Sequence, residues 1–260
     1  MASSFFIAHG SPMLAIQHNT YTEDMRKLGE RLGKPEAVVV FSAHWVSATQ
    51  SVTYTDGTLE TIYDFRGFPQ ELFEVVYPAQ GSVAIAKDIL SAFQAHGNGI
   101  DVQVSQTRGL DHGAWVILRH MFPNADVPVI NLSVNPMLPP EKQYEIGKAI
   151  ASLKDRNIVI IGSGSTVHNF RRMNFHAENQ ADPWAKEFDD WLIARMGEWD
   201  TAALFDYKRL APYAAEATPD YEHFAPLYLA MGTGHHAKKA AVQHQSYMYG
   251  SLSHLIIEFA

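Results

Sequence analysis

Four short apolar runs, residues 5–8, 37–41, 127–132 and 158–161, punctuate a chain whose other apolar positions recur at helical spacing. Each run is β-branched or aromatic, too short for a buried helix and bounded by turn residues, which predicts strands covered on both faces. Amphipathic helices are predicted over 21–32, Val83–His96, 114–121 and 141–153. Pro139-Pro140 before Glu141 suits a helix start, and Gly97 after His96 suits a helix stop. This alternation predicts an α/β fold with a central mixed, mostly parallel sheet flanked by helices. Residues 182–206 read as helical behind Pro183, while 240–249 and 255–259 offer late strands. Val52-Thr53-Tyr54 and Thr61-Ile62-Tyr63, with Asp56-Gly57 between them, suggest a small hairpin or an excursion from the main sheet. With no repeat, low-complexity segment or linker in view, residues 1–260 are read as a single domain.

Charge and composition narrow the function classes. A net charge of −8 with scattered Lys and Arg argues against a nucleic-acid partner, which wants a basic stripe. No apolar stretch reaches membrane-spanning length, and Met1-Ala2-Ser3-Ser4-Phe5-Phe6 lacks the basic and apolar regions of a signal peptide, so a cytoplasmic protein with no membrane partner is expected. The chain has no cysteine, so any metal must be held by nitrogen and oxygen.

The 13 histidines change the picture. Ligands of open α/β sheets bind beyond the carboxyl ends of the strands. His9 follows one predicted strand in Ala8-His9-Gly10-Ser11-Pro12, His44 another in Ser42-Ala43-His44-Trp45, and His168 a third in Gly162-Ser163-Gly164-Ser165-Thr166-Val167-His168. A single such histidine is most often a loop residue bonded to backbone. Three at one sheet edge without acidic partners are costly unless a cation or a reacting group uses them. His112, in Asp111-His112-Gly113-Ala114-Trp115, opens a predicted helix whose dipole favours the neutral ring as donor or acceptor. His223 stands near another helix start, and Glu222 beside it is a ligand, a partner of a ligand or a solvated helix-start acid. His18, His96, His120, His176, His244 and His254 have no comparable context, and His235-His236 are expected to point apart in a solvated loop. The small residues of Gly162-Ser163-Gly164-Ser165-Thr166 resemble a phosphate loop but lack its lysine; close packing that admits His168 is the better reading.

Taken together, Phe5-Phe6-Ile7-Ala8-His9-Gly10-Ser11-Pro12, Ser42-Ala43-His44-Trp45, Asp111-His112-Gly113-Ala114-Trp115, Gly162-Ser163-Gly164-Ser165-Thr166-Val167-His168-Asn169 and Glu222-His223-Phe224-Ala225-Pro226-Leu227 resemble the class III extradiol ring-cleavage dioxygenases, within them the DOPA 4,5-dioxygenase group. The resemblance runs in the family's order along nearly the whole chain. It implies a metal at the sheet edge with His9, His44 and His223 as ligands, His168 as a fourth ligand or the acid/base, and His112 on the substrate side. His223 stands where protocatechuate-cleaving relatives offer a carboxylate. The implied cofactor is one divalent ion, Fe(II) for catalysis or Zn²⁺ as purified; the implied partners are a catechol such as DOPA and O2. Trp45 and Trp115 are expected either to wall the substrate ring or to pack in the core. Two other functions fit the same residues: a zinc hydrolase whose metal-bound water attacks an ester or amide, and a metal-binding module without catalysis.

Overall fold

The structure, a computed structural model, describes residues 3–97, 99–177 and 179–260. The leading Met1 and Ala2 of the sequence reading lie outside the described residues. Among those residues, no helix is long and apolar enough to cross a membrane.

The apolar runs form the middle of one eight-stranded sheet: β1 (Ser4–Ala8), β2 (Ala37–Val46), β5 (Val129–Val134) and β6 (Ile158–Gly164), in the parallel order β5-β2-β6-β1. β3 (Gln50–Thr53) and β4 (Val102–Ser105) extend the β5 edge; β8 (Leu252–Phe259) and β7 (Ala240–Met248) extend the β1 edge antiparallel. Both faces are buried because the two-residue period sends alternate side chains to opposite cores. Phe5, Ile7, Val38, Val40, Val159 and Ile161 meet α1 (Thr20–Leu32) and α3 (His112–Met121). On the other face, Val39, Phe41 and Ile160 meet α2 (Val83–His96) and α4 (Pro140–Ala149). There too, Phe6 and Ile257 pack with α5 (Pro183–Gly197) and α9 (Ala225–Thr233). Three short helices, α6 (Thr201–Phe205), α7 (Tyr207–Leu210) and α8 (Ala214–Ala217), connect α5 to the loop before α9.

The structure corrects several expectations. No hairpin joins 52–54 to 61–63: β3 pairs parallel with β4 and touches β5, while Thr61 makes only an isolated bridge to Leu110. β4 escapes the sequence pattern because it is a half-exposed edge strand with no apolar face to conceal. β2 and β6 outrun their apolar segments, so Ser42, His44 and Ser163 are strand residues rather than loop residues. The β2–β5 register shifts between Phe41 and Val46, an irregularity of the kind that re-aims side chains beside active sites. His235 and His236 do not point apart; their ring centroids lie 3.7 Å from each other.

Candidate metal centre and its pocket

Three adjacent parallel strands, β2-β6-β1, deliver their carboxyl ends to one edge. His9 leaves β1, and its backbone N–H donates to the Gly164 carbonyl oxygen of β6 at 3.1 Å. His44 is aimed there from the irregular end of β2. His223 comes from the turn before α9, and the end of β6 decides its position. A Cβ on Gly164 would sit 2.1 Å from the His223 carbonyl oxygen, and one on Gly162 would sit 2.1 Å from that of Pro226. The glycines of the small-residue run therefore serve close packing, as expected, but what they admit is His223 and the start of α9. The Ser165 N–H then holds the His223 carbonyl at 2.8 Å.

His9, His44 and His223 bring their ligand atoms together. Nε2 of His44 is 3.0 Å from Nε2 of His9 and 3.2 Å from Nε2 of His223. Hydrogen bonds on the far side of each ring assign the protons. His44 Nδ1 faces Asp64 Oδ2 at 3.1 Å and His223 Nδ1 faces Glu222 Oε1 at 3.0 Å; carboxylates only accept, so both Nδ1 atoms carry the hydrogen. His9 Nδ1 faces Ser163 Oγ at 3.0 Å, and that hydroxyl already donates to the Gly113 carbonyl, so His9 Nδ1 must donate as well. Three Nε2 lone pairs thus point at one another. Burial, with the neighbouring imidazoles and His44 first among them, holds His9 and His223 well below the usual histidine range, so protonation does not relieve the crowding. A divalent ion does. Bond lengths of about 2.0–2.1 Å to imidazole set neighbouring donors roughly 3.0–3.4 Å apart, depending on coordination angle. The residues present fit a single metal, with the far-side hydrogen bonds that metal-binding histidines commonly make.

Asp64, which the sequence reading missed, ties this trio to His112. Its side chain is 23% exposed and binds His44 through Oδ2; through Oδ1 it accepts from the His112 backbone N–H at 3.0 Å and from His112 Nδ1 at 2.9 Å. Burial acts to raise its pKa, but the hydrogen bonds from His112 and His44 outweigh that and hold it well below the usual carboxylate range. Burial lowers His112, with Asp64 opposing, so the ring at the start of α3 is neutral with Nε2 bare. Its centroid is 3.9 Å from that of His44.

His168 stands beside the trio rather than in it. It stacks on His223 at 3.7 Å and 11°, and among the described residues neither of its ring nitrogens has a hydrogen-bond partner. Burial, then His223, lowers it to about 3. Together with the three converging histidines and His112 it lines a cavity of about 560 Å³. Of the two alternatives for the tryptophans, neither Trp45 nor Trp115 is among the residues that line this cavity. Trp45 follows His44 on β2, so the strand period turns it away, beneath the Arg108 guanidinium at 5.3 Å. Trp115 is fully buried in the core, its Nε1–H donating to the Ile62 carbonyl. The cavity is walled instead by Phe65, Phe68, Phe170, Phe175 and Tyr249. His254, which the sequence set aside, lies outside this cavity, buried and stacked on Tyr21 behind Gly10.

Residues 3–260 match the family described as the catalytic LigB subunit of aromatic ring-opening dioxygenase. The chain belongs to this family. A 4,5-DOPA dioxygenase extradiol of Beta vulgaris is 39% identical over 96% of this chain and 94% of its own length. One of Escherichia coli K12 is 34% identical over 98% and 93%. The crystal structure of an uncharacterized protein from Escherichia coli K12 superposes with a TM-score of 0.84 at 30% identity, covering 100% of both chains. The chain is a metal-dependent extradiol ring-cleaving dioxygenase, an enzyme that takes a small aromatic substrate and O2.

Proposed function

We propose that this dioxygenase opens catechols with a short side chain, DOPA among them, beside the diol, and that His9, His44 and His223 hold one catalytic Fe(II), a site that also accepts Zn²⁺. The observation that carries the ligand assignment is the convergence of three bare Nε2 atoms whose Nδ1 hydrogens are all committed elsewhere. An all-imidazole donor set without thiolate suits both ions, and only the iron supports O2 chemistry. When bound, the metal orients diol and O2 and stabilises developing charge.

The chain's own residues do the rest. Phe65 and Phe68 flank the ring space and exclude water. His112 offers Nε2 as an acceptor for a substrate hydroxyl, since Asp64 holds its Nδ1–H. His168, neutral and with both ring nitrogens unengaged, takes the phenolic proton and later returns it. A cytoplasmic setting goes with this reading and with the cysteine-free chain.

The test is anaerobic Fe(II) loading, addition of DOPA, then labelled O2, with mass spectrometry of the product. Two labelled oxygens, one in a new aldehyde and one in a new carboxylate at the cut ends, are expected. Two new carboxylates would mean cleavage between the hydroxyl-bearing carbons. Ester turnover without O2 uptake would return the site to a zinc hydrolase.

A further inference from the structure

The cavity has an asymmetry of charge that the ring chemistry does not use. Its charged lining is acidic: Asp220 and Glu222, with no Lys or Arg among the described residues that form it. Glu222 is engaged by His223 Nδ1, whereas Asp220 is an exposed carboxylate at the mouth, close enough to act electrostatically on His168. The same cavity has exposed aromatic residues in its lining. Phe170 and Phe175 are 65% and 66% exposed, Phe170 lies 4.6 Å from the His168 ring, and Phe175 lies 5.0 Å from Tyr249. Exposed aromatic faces beside a carboxylate form a receptor for a cation, through ring quadrupole and charge together. Of the nearby cations, Arg172 is paired with Glu216 at 3.3 Å and lies over Trp184, and Arg66 and Arg171 are not among the residues that line the cavity.

We propose that this pocket selects catechols whose side chain carries an ammonium group, received by Asp220 and the Phe170–Phe175–Tyr249 rim, and disfavours those whose side chain is a lone carboxylate. This rests on the catechol-cleaving reading above and names the substrate class within it. A zwitterionic side chain such as that of DOPA falls between the two, its ammonium received and its carboxylate left in solvent. A carboxylate entering alone meets like charge and loses water without gaining a partner.

The experiment compares three catechols of matched shape: 4-(2-aminoethyl)catechol, 4-ethylcatechol and 3,4-dihydroxyphenylacetate. Calorimetric binding to the Zn²⁺-loaded protein is measured beside kcat and KM of the Fe(II) enzyme. The amine is expected to bind tightest and the carboxylate weakest, each step about three- to ten-fold, as suits a solvent-facing ion pair plus a cation–π contact. The differences should appear in KM more than in kcat and shrink as salt rises. Asp220→Asn should collapse the amine-to-ethyl ratio towards one, and Phe175→Leu should reduce it. Cleavage with the carboxylate preferred, or an amine-to-ethyl ratio that ignores both salt and Asp220→Asn, overturns the inference and leaves the catechol reading standing. Absence of both binding and cleavage for all three overturns the catechol reading and this inference with it.

Discussion

Gly164→Ala tests whether the end of β6 places His223. The added Cβ would lie 2.1 Å from the His223 carbonyl oxygen, and ordinary contact starts at 3.4 Å, so the turn before α9 must retreat by about 1.3 Å. The carbonyl cannot retreat freely, because the Ser165 N–H holds it at 2.8 Å. Overpacking of this kind costs about 1–3 kcal/mol, and a strained or lost hydrogen bond adds about 1. At roughly 2–4 °C per kcal/mol for a domain of this size, the melting temperature should fall by about 5–15 °C. Metal sites tolerate donor displacements of only about 0.2 Å, so a shift near 1 Å should weaken the ion by at least the ~10- to 100-fold typical of disturbed ligand support. The assay is metal per folded protein by elemental analysis, with melting curves at fixed metal concentration. Gly197→Ala is the control: nothing lies within 4 Å of a Cβ there, at the end of α5. A Gly164→Ala protein with wild-type metal content and melting temperature would refute the claim that this contact positions His223.

Asp64→Asn should lower metal affinity by about 10- to 100-fold with little change in melting temperature of the metal-free protein, because one amide oxygen replaces two acceptors for His44 and His112; metal titration of the variant checks it. His168→Ala and His112→Ala should each reduce turnover far more than metal content, and a His168→Ala protein as empty as His9→Ala would make His168 a ligand instead of the acid/base. Asp189, fully buried with hydroxyl donors Ser253 at 2.6 Å and Tyr247 at 2.8 Å, is raised by burial to about 6. The folded state therefore binds its proton more tightly than the unfolded chain does, and stability falls as pH rises from about 4 to about 6, by an order of 3 kcal/mol. Asp189→Asn should flatten that part of the profile and melt higher than wild type at pH 7; a profile unchanged by the substitution would count against the shift.

The sequence exposes most of the core and part of the site, and the division has a physical cause. β1, β2, β5 and β6 are buried on both faces along most of their length, so most of their positions are apolar and can be read directly. Their polar ends are harder: Ser42 and Ser163 continue the ladder, yet in sequence they resemble turn residues. β4 carries no such constraint and is invisible. His9, His44 and His223 stand out because strand ends and helix starts have recognisable signatures. Asp64 has none. It sits in an irregular stretch whose position is set by tertiary contacts, such as the bridge of Thr61 to Leu110 and the bond of Trp115 Nε1–H to Ile62. The cavity walls are missed for the same reason, since Phe65, Phe68 and Phe175 lie on loops and Phe170 opens a three-residue 3-10 turn, where no periodicity marks a face.

What the sheet supplies and what the loops supply are therefore different things. Strands β2, β6 and β1 fix the places of His9 and His44, and their packing against α9 fixes His223. Place alone does not make a ligand, because an imidazole presents either a lone pair or a hydrogen from the same nitrogen. That choice is made by Ser163, Asp64 and Glu222, one acceptor behind each ring. Asp64 makes it twice, once for His44 in the converging trio and once for His112 beside it, so a single carboxylate sets the tautomer of two rings that line one cavity. Loss of its charge should couple two failures that separate ligand and substrate-side substitutions would produce singly, which is why affinity for metal and turnover per bound metal both have to be measured in Asp64→Asn.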